Sequence, residues 1–307
     1  MKLLKNLMAV SLFSGVLILP MAWGSALKVV TTTPDLASIV RAVGGDTVQV
    51  QSLASPLQNP HFVDAKPSMI VKLMKADLFV QTGMDLEIGW APLLQQSSGN
   101  KEIQNGARGF LDASTAITPL EVPLNPTRAM GDVHPAGNPH YLLDPENGKL
   151  VARLIAKKLE ELSPQESATF KKNLVTFEKN INEKLERWLR DMEPYRGTKF
   201  VSYHKVYPYF GERFGIISIG EIEPKPGIPP TASHTNRLME QMKAEKVKII
   251  LIEPWYEKRS SEAMAKQTGA QVITMALFPG TVPEAKNYLE AVNYNLMLLL
   301  KVLSTVR

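Results

Sequence analysis

Between two stretches of alternating strands and helices lies a segment patterned as one long helix. Ser163-Pro164-Gln165-Glu166 has the form of an N-terminal capping box with proline at the first helical position. Phe170, Leu174, Phe177, Ile181, Leu185, Trp188 and Met192 then recur every three or four residues and mark one apolar face. No glycine or proline interrupts the run before Pro194. A helix over residues 164–191 would be about 42 Å long at 1.5 Å per residue. A long surface helix would carry the same pattern. Its position between two similar segments favours a rigid connector that limits hinge opening.

The flanking segments read as strands alternating with helices, which implies βα units and a largely parallel sheet in each. On the N-terminal side, Leu27-Lys28-Val29-Val30 and the stretches 48–53 and 78–82 are strand-like, with helices over 35–43 and 67–75. On the C-terminal side the strand candidates are 199–203, 216–219, 249–252 and 271–274, with helices over 235–244 and about 283–303. The expected fold class is α/β: two Rossmann-like lobes joined by one long rigid helix, with a ligand site in the cleft between them. The expected division is a signal over 1–26, an N-terminal lobe over 27–162, the connecting helix over 163–193 and a C-terminal lobe over 194–307.

Residues 1–26 read as a cleaved secretory signal. Lys2 and Lys5 precede an apolar stretch over 7–21, and small-residue cleavage signatures follow at Ala22-Trp23-Gly24 or Gly24-Ser25-Ala26. The stretch is shorter than the roughly 20 residues needed to span a bilayer and carries Ser11, Ser14, Gly15 and Pro20, which disfavours a membrane anchor. Cysteine is absent, so the fold rests on its core without disulfides, and no thiol follows the signal to carry a lipid. The expected product is a soluble, unlipidated periplasmic protein. Its net charge of +5 falls to +3 once Lys2 and Lys5 are removed, too mild and too evenly spread to suggest nucleic acid.

The chain has only five histidines, and their placement is informative. His61 and His140 each end an Asn-Pro-His triplet, and His204 ends the strand candidate Val201-Ser202-Tyr203. Ligands of open α/β sheets bind outside the carboxyl ends of strands, where His61 and His204 fall by pattern. A lone histidine at a strand end is ordinarily a polar cap. Three in related contexts read as a metal site, because imidazole is the commonest metal-binding side chain and three imidazoles suit Zn2+.

Asn59-Pro60-His61 with Lys66-Pro67-Ser68, then Gly131-Asp132-Val133-His134-Pro135 leading into Gly137-Asn138-Pro139-His140, resembles the metal-binding solute receptors of ABC importers. This is the zinc/manganese group whose two lobes are joined by one long helix. The resemblance continues through Ser202-Tyr203-His204, Ile252-Glu253-Pro254 and Tyr294-Asn295, nearly the whole length after the signal. It implies that His61, His140 and His204 bind the metal and that an inner-membrane ABC permease is the partner. It also implies that a histidine at position 204 belongs to the zinc-type members. Two departures stand out. The family's fourth ligand, an Asp after the last strand of the second lobe, is replaced by Met275, and the loop Met275-Ala276-Leu277-Phe278-Pro279-Gly280 has no carboxylate. The His-rich loop of many zinc receptors is also missing, since residues 121–130 contain no histidine.

The fourth coordination position is therefore open to His234, Glu221, Glu223 or water. His234 has the rival role of a helix-start residue near Ser233 or Thr231, and the two glutamates that of solvated groups or partners of Lys225. His134 reads as loop structure or as a neighbour of the ligands, and Asp64 and Asp144 as acceptors for imidazole protons. Asp144-Pro145 equally fits a helix cap. Trp90, Trp255, Tyr207 and Tyr209 either shield the cleft or belong to the core. Three imidazoles favour Zn2+ over Mn2+, which prefers carboxylate, carbonyl and water; Cu2+ would bind more tightly on affinity alone. The expected function is capture of zinc as a transported ligand, by a monomer that is not an enzyme. The alternatives are a manganese or copper receptor of the same fold, or a three-histidine zinc hydrolase or hydratase.

Overall fold

The structure is a computed structural model that describes residues 26–125 and 134–305. The secretory-signal reading, apart from Ala26, and the Gly131-Asp132-Val133 part of the motif lie outside these residues.

Two four-stranded parallel sheets form the two lobes. The first has the order β2-β1-β3-β4, with β1 Leu27–Thr31, β2 Val48–Ser52, β3 Leu78–Gln81 and β4 Phe110–Asp112. The second repeats the arrangement as β6-β5-β7-β8, with β5 Lys199–Ser202, β6 Ile217–Glu221, β7 Ile249–Ile252 and β8 Gln271–Thr274. In each sheet the chain runs to one side first and then crosses to the other. The carboxyl ends of β1 and β3, and of β5 and β7, are thus the switch points where such sheets take ligands. The strand β4 escapes the sequence reading because three residues carry no usable periodicity.

The helices are α1 Pro34–Gly44, α2 Pro67–Met74, α3 Ala91–Ser97, α4 Pro145–Leu162, α5 Ser167–Met192, α6 Pro208–Phe214, α7 Ala232–Ala244, α8 Lys258–Thr268 and α9 Tyr288–Leu303. Several begin with proline at a position that needs no amide donor, as in α1, α2, α4 and α6. The long helix is α5, and its buried face is the one the sequence marks: Phe170, Phe177, Ile181, Leu185, Trp188 and Met192, with Leu174 partly buried. Its start differs from expectation. Pro164–Glu166 forms a single 3-10 turn, and Ser163 does not cap it, because its hydroxyl accepts instead from the Gln165 side-chain amide at 2.6 Å.

The helix α5 is fastened to both lobes. Near its start Asn173 donates to the Val43 carbonyl of α1 at 3.0 Å, and near its end the Trp188 indole donates to Asn293 of α9 at 3.1 Å. One apolar core runs through both lobes, joining Leu36, Ile155 and Phe170 to Phe210, Leu251 and Leu296. The lobes also meet directly. Arg213 of α6 grips Asp144 with two bonds of 2.7 and 2.8 Å, and the Tyr288 amide donates to Ser38 at 2.9 Å. Asp144 has a further task as the N-cap of α4, accepting from the Glu146 amide at 2.9 Å. Among the described residues no helix is long and apolar enough to cross a membrane.

Candidate metal centre

Both Asn-Pro-His triplets fold by the same local device. The Asn59 side-chain oxygen accepts from the His61 amide at 3.0 Å, and Asn138 does the same for His140 at 3.0 Å. Such a turn, with proline fixing its middle, presents the imidazole with little backbone freedom. Each turn is held from outside. The buried Trp90 indole donates to the Pro60 carbonyl at 2.9 Å. Asn138 donates to the Lys205 carbonyl across the cleft at 2.9 Å, while its own carbonyl accepts from the Tyr209 hydroxyl at 3.0 Å. His204 follows β5 by two residues, at the switch point of the second sheet.

These elements bring the three histidines to one point. Nε2 of His61 and Nε2 of His140 are 3.3 Å apart, and one ring nitrogen from each of His61, His140 and His204 falls within 4.8 Å of the others. The ring centres are 5.2 Å apart for His61 and His140, 5.1 Å for His61 and His204, and 5.6 Å for His140 and His204. A tetrahedral zinc with Zn–N bonds of about 2.0–2.1 Å sets ligand nitrogens about 3.3–3.4 Å apart. The closest pair already has that spacing.

The electrostatics suit a cation as well. Burial first, then the neighbouring imidazoles, hold the proton affinities of His61 and His140 well below the usual histidine range. Their lone pairs therefore stay available. Nδ1 of His204 lies 2.6 Å from Oε2 of Glu223, and both side chains are buried. An ionised carboxylate only accepts, so Nδ1 carries the proton and Nε2 is left for a metal. The other carboxylate oxygen, Oε1, accepts from the Gly227 amide at 2.8 Å, which fixes the glutamate in turn.

The remaining candidates are sorted by the same geometry. Glu223 spends itself on His204 and Gly227 rather than joining the three nitrogens. His234 lies in the first turn of α7, capped by Thr231, and its Nε2 is 2.8 Å from the Glu221 carbonyl. A carbonyl only accepts, so that nitrogen is protonated and unavailable as a ligand. Glu221 accepts from Ser218 at 3.3 Å, and burial raises its carboxyl above the ordinary range. Asp64 is exposed and Asp144 is committed to Arg213 and α4, so neither orients an imidazole. Trp90, Tyr207 and Tyr209 are core residues, and Trp255 is partly buried beside Phe278. Met275 is buried in the core, and the following loop is pinned by Asn295, which bonds the Ala276 amide at 2.7 Å and its carbonyl at 2.9 Å. His134 is closer to the site than a sequence separation of six from His140 suggests, with its ring centre 5.0 Å from that of His61.

Two parallel α/β lobes backed by one helix, with imidazoles converging in the cleft between them, have the build of a two-lobed metal-binding protein. The chain belongs to the family described as "ZnuA: Zinc-uptake complex component A periplasmic", whose model matches residues 29–302. It is 26% identical to the high-affinity zinc uptake system protein ZnuA of Yersinia pestis, over 86% of this chain and 87% of that one. It is 24% identical to the manganese ABC transporter substrate-binding lipoprotein PsaA of Streptococcus pneumoniae, over 88% and 86%. A crystal structure of ZnuA superposes with a TM-score of 0.77 at 24% identity, covering 91% of this chain and 99% of that one. The expected two-lobed α/β fold is borne out. Relatives named for zinc uptake and for manganese transport both stand among these.

Proposed function

We propose that the protein captures Zn2+ between its lobes with His61, His140 and His204 and delivers it to an inner-membrane ABC permease. The observation that carries this reading is the convergence of the three ring nitrogens, with an Nε2–Nε2 distance of 3.3 Å for His61 and His140. The donor chemistry supports zinc over manganese. All three converging atoms are imidazole nitrogens, whereas Mn2+ favours carboxylate and carbonyl oxygen. The Glu223 carboxylate behind His204 supports the same ion, since it makes the imidazole a stronger donor without becoming a ligand.

The metal is cargo in this reading, and no reaction is catalysed. The protein works as a periplasmic monomer, exported through a cleaved signal over residues 1–26 and carrying no lipid. Its lobes span 27–162 and 194–307, with the connector over 163–193. The test is titration of chelator-stripped protein with Zn2+, Mn2+ and Cu2+, repeated on His61→Ala, His140→Ala and His204→Ala. Zinc affinity should exceed manganese affinity and fall in all three variants. Unchanged Zn2+ affinity across the three variants would refute the site.

A further inference from the structure

We propose that His134 supplies a fourth, exchangeable nitrogen to the metal held by His61, His140 and His204. The inference rests on the reading of those three as the metal site. Four imidazoles arranged tetrahedrally around one zinc have their ring centres about 5.2 Å apart, from a Zn–N bond of about 2.0–2.1 Å and the size of the ring. The His134 ring centre is 5.0 Å from that of His61, so one of the three separations such a shell requires of it is already met.

The position of His134 around the cleft points the same way. On one side it lines a groove with His61, Phe62 and Trp90, and on the other it lines an opening with His140, His204 and Glu223. It therefore borders both openings beside the cluster.

Nε2 of His234 donates to a carbonyl, Glu223 holds His204 and Gly227, and the loop after β8 is apolar and packed into the core. The segment that carries His134 is built differently from those of the three fixed ligands. Its carbonyl accepts from the Gly137 amide at 3.1 Å, and Gly137 has φ of +109°, a conformation other residues rarely adopt. Beyond that turn the chain is anchored, since the Asn138 amide donates to the Leu120 carbonyl at 2.9 Å. His134 does not share the common point of the three nitrogens. In this proposal a rotation about its side-chain bonds would bring it to that point. Three fixed donors and one on a turn give a full tetrahedral shell with one ligand that leaves easily, which suits a protein that must also release its ion.

Co2+ is the probe, because its visible absorption reports coordination number and donor type. Stripped wild type titrated with Co2+ should give the intense bands of a tetrahedral nitrogen site. In His134→Ala these bands should weaken and shift as water replaces imidazole, and added free imidazole should restore them. Zn2+ affinity should fall by at least the roughly tenfold that follows loss of a ligand's outer hydrogen-bond partner. If His134→Ala does not fold, as judged by thermal unfolding of the metal-free protein, His134→Gln is measured in its place. A Co2+ spectrum and Zn2+ affinity identical to wild type would overturn the inference while leaving the three-histidine site standing. Failure of wild type to bind either ion would overturn the site itself.

Discussion

The contact between Glu223 and His204 gives the sharpest test of how the site is built. Replacing Glu223 by alanine removes the acceptor of the His204 Nδ1 proton, at 2.6 Å, and the acceptor of the Gly227 amide, at 2.8 Å. Both side chains of the pair are less than one-tenth exposed, at 7% and 8%, so water does not readily replace the lost carboxylate. A hydrogen bond to a charged group contributes about 1.5–3 kcal/mol, and metal-free Glu223→Ala should lose stability by roughly that amount. Without its anchor the imidazole can rotate or change tautomer, which should weaken Zn2+ binding about 10- to 100-fold. That corresponds to about 1.4–2.7 kcal/mol. Glu223→Gln separates charge from orientation. Its amide oxygen can still accept from His204, but its NH2 then faces the Gly227 amide, donor against donor, so a loss near the lower end is expected. The assay is competition of stripped protein with a chromogenic zinc chelator, alongside urea unfolding without metal. A folded Glu223→Ala that binds Zn2+ as tightly as wild type would refute the positioning role. A loss in Glu223→Gln as large as in Glu223→Ala would show that the charge of the carboxylate, rather than its acceptor at Nδ1, sets the affinity.

Three further outcomes are expected. His234→Ala should keep Zn2+ affinity within about twofold of wild type, because its Nε2 is engaged with the Glu221 carbonyl; a tenfold loss in the same chelator competition would return it to the coordination shell. Arg213→Ala should destabilise the metal-free protein by about 1.5–3 kcal/mol in urea unfolding, since it removes a two-bond charged contact at the junction of the lobes while Asp144 keeps its bond to the Glu146 amide; a change under about 0.5 kcal/mol would show that the pair holds nothing together. Burial raises the Glu253 carboxyl from an ordinary value near 4.5 to about 8. The unfolded chain releases this proton from about pH 4.5 upward while the folded chain keeps it. The group's contribution is therefore complete below that pH and is lost as pH rises towards 8. Glu253→Gln should flatten this fall relative to wild type in unfolding measured at pH 5, 6.5 and 8, and identical pH profiles would refute the assignment.

Much of the architecture is legible in the chain because it is encoded locally. The apolar face from Phe170 to Met192 requires a helix whatever surrounds it, and the repeated strand-to-helix pattern requires two parallel sheets. Asn-Pro-His likewise folds by itself, since asparagine bonds the amide two residues on, and so both triplets announce how His61 and His140 are presented. Local signals also mislead where a rival partner lies close by. Ser163 fits a capping box, yet its hydroxyl is taken by Gln165.

What surrounds the metal ligands was decided only by the tertiary structure. Glu223 reads in the sequence as one of several candidates for the fourth position or as a solvated group, and only the pairing of β5 with β6 sets it behind His204. His134 reads as loop structure or as a neighbour of the ligands, and only the approach of the first lobe's two loops lays it against His61. Asp144 meets Arg213 because the lobes close on one shared core behind α5. Periodicity and capping report on neighbours within a few residues. The partner of a buried imidazole is fixed by sheet order and lobe packing, which bring together groups that no spacing along the chain relates.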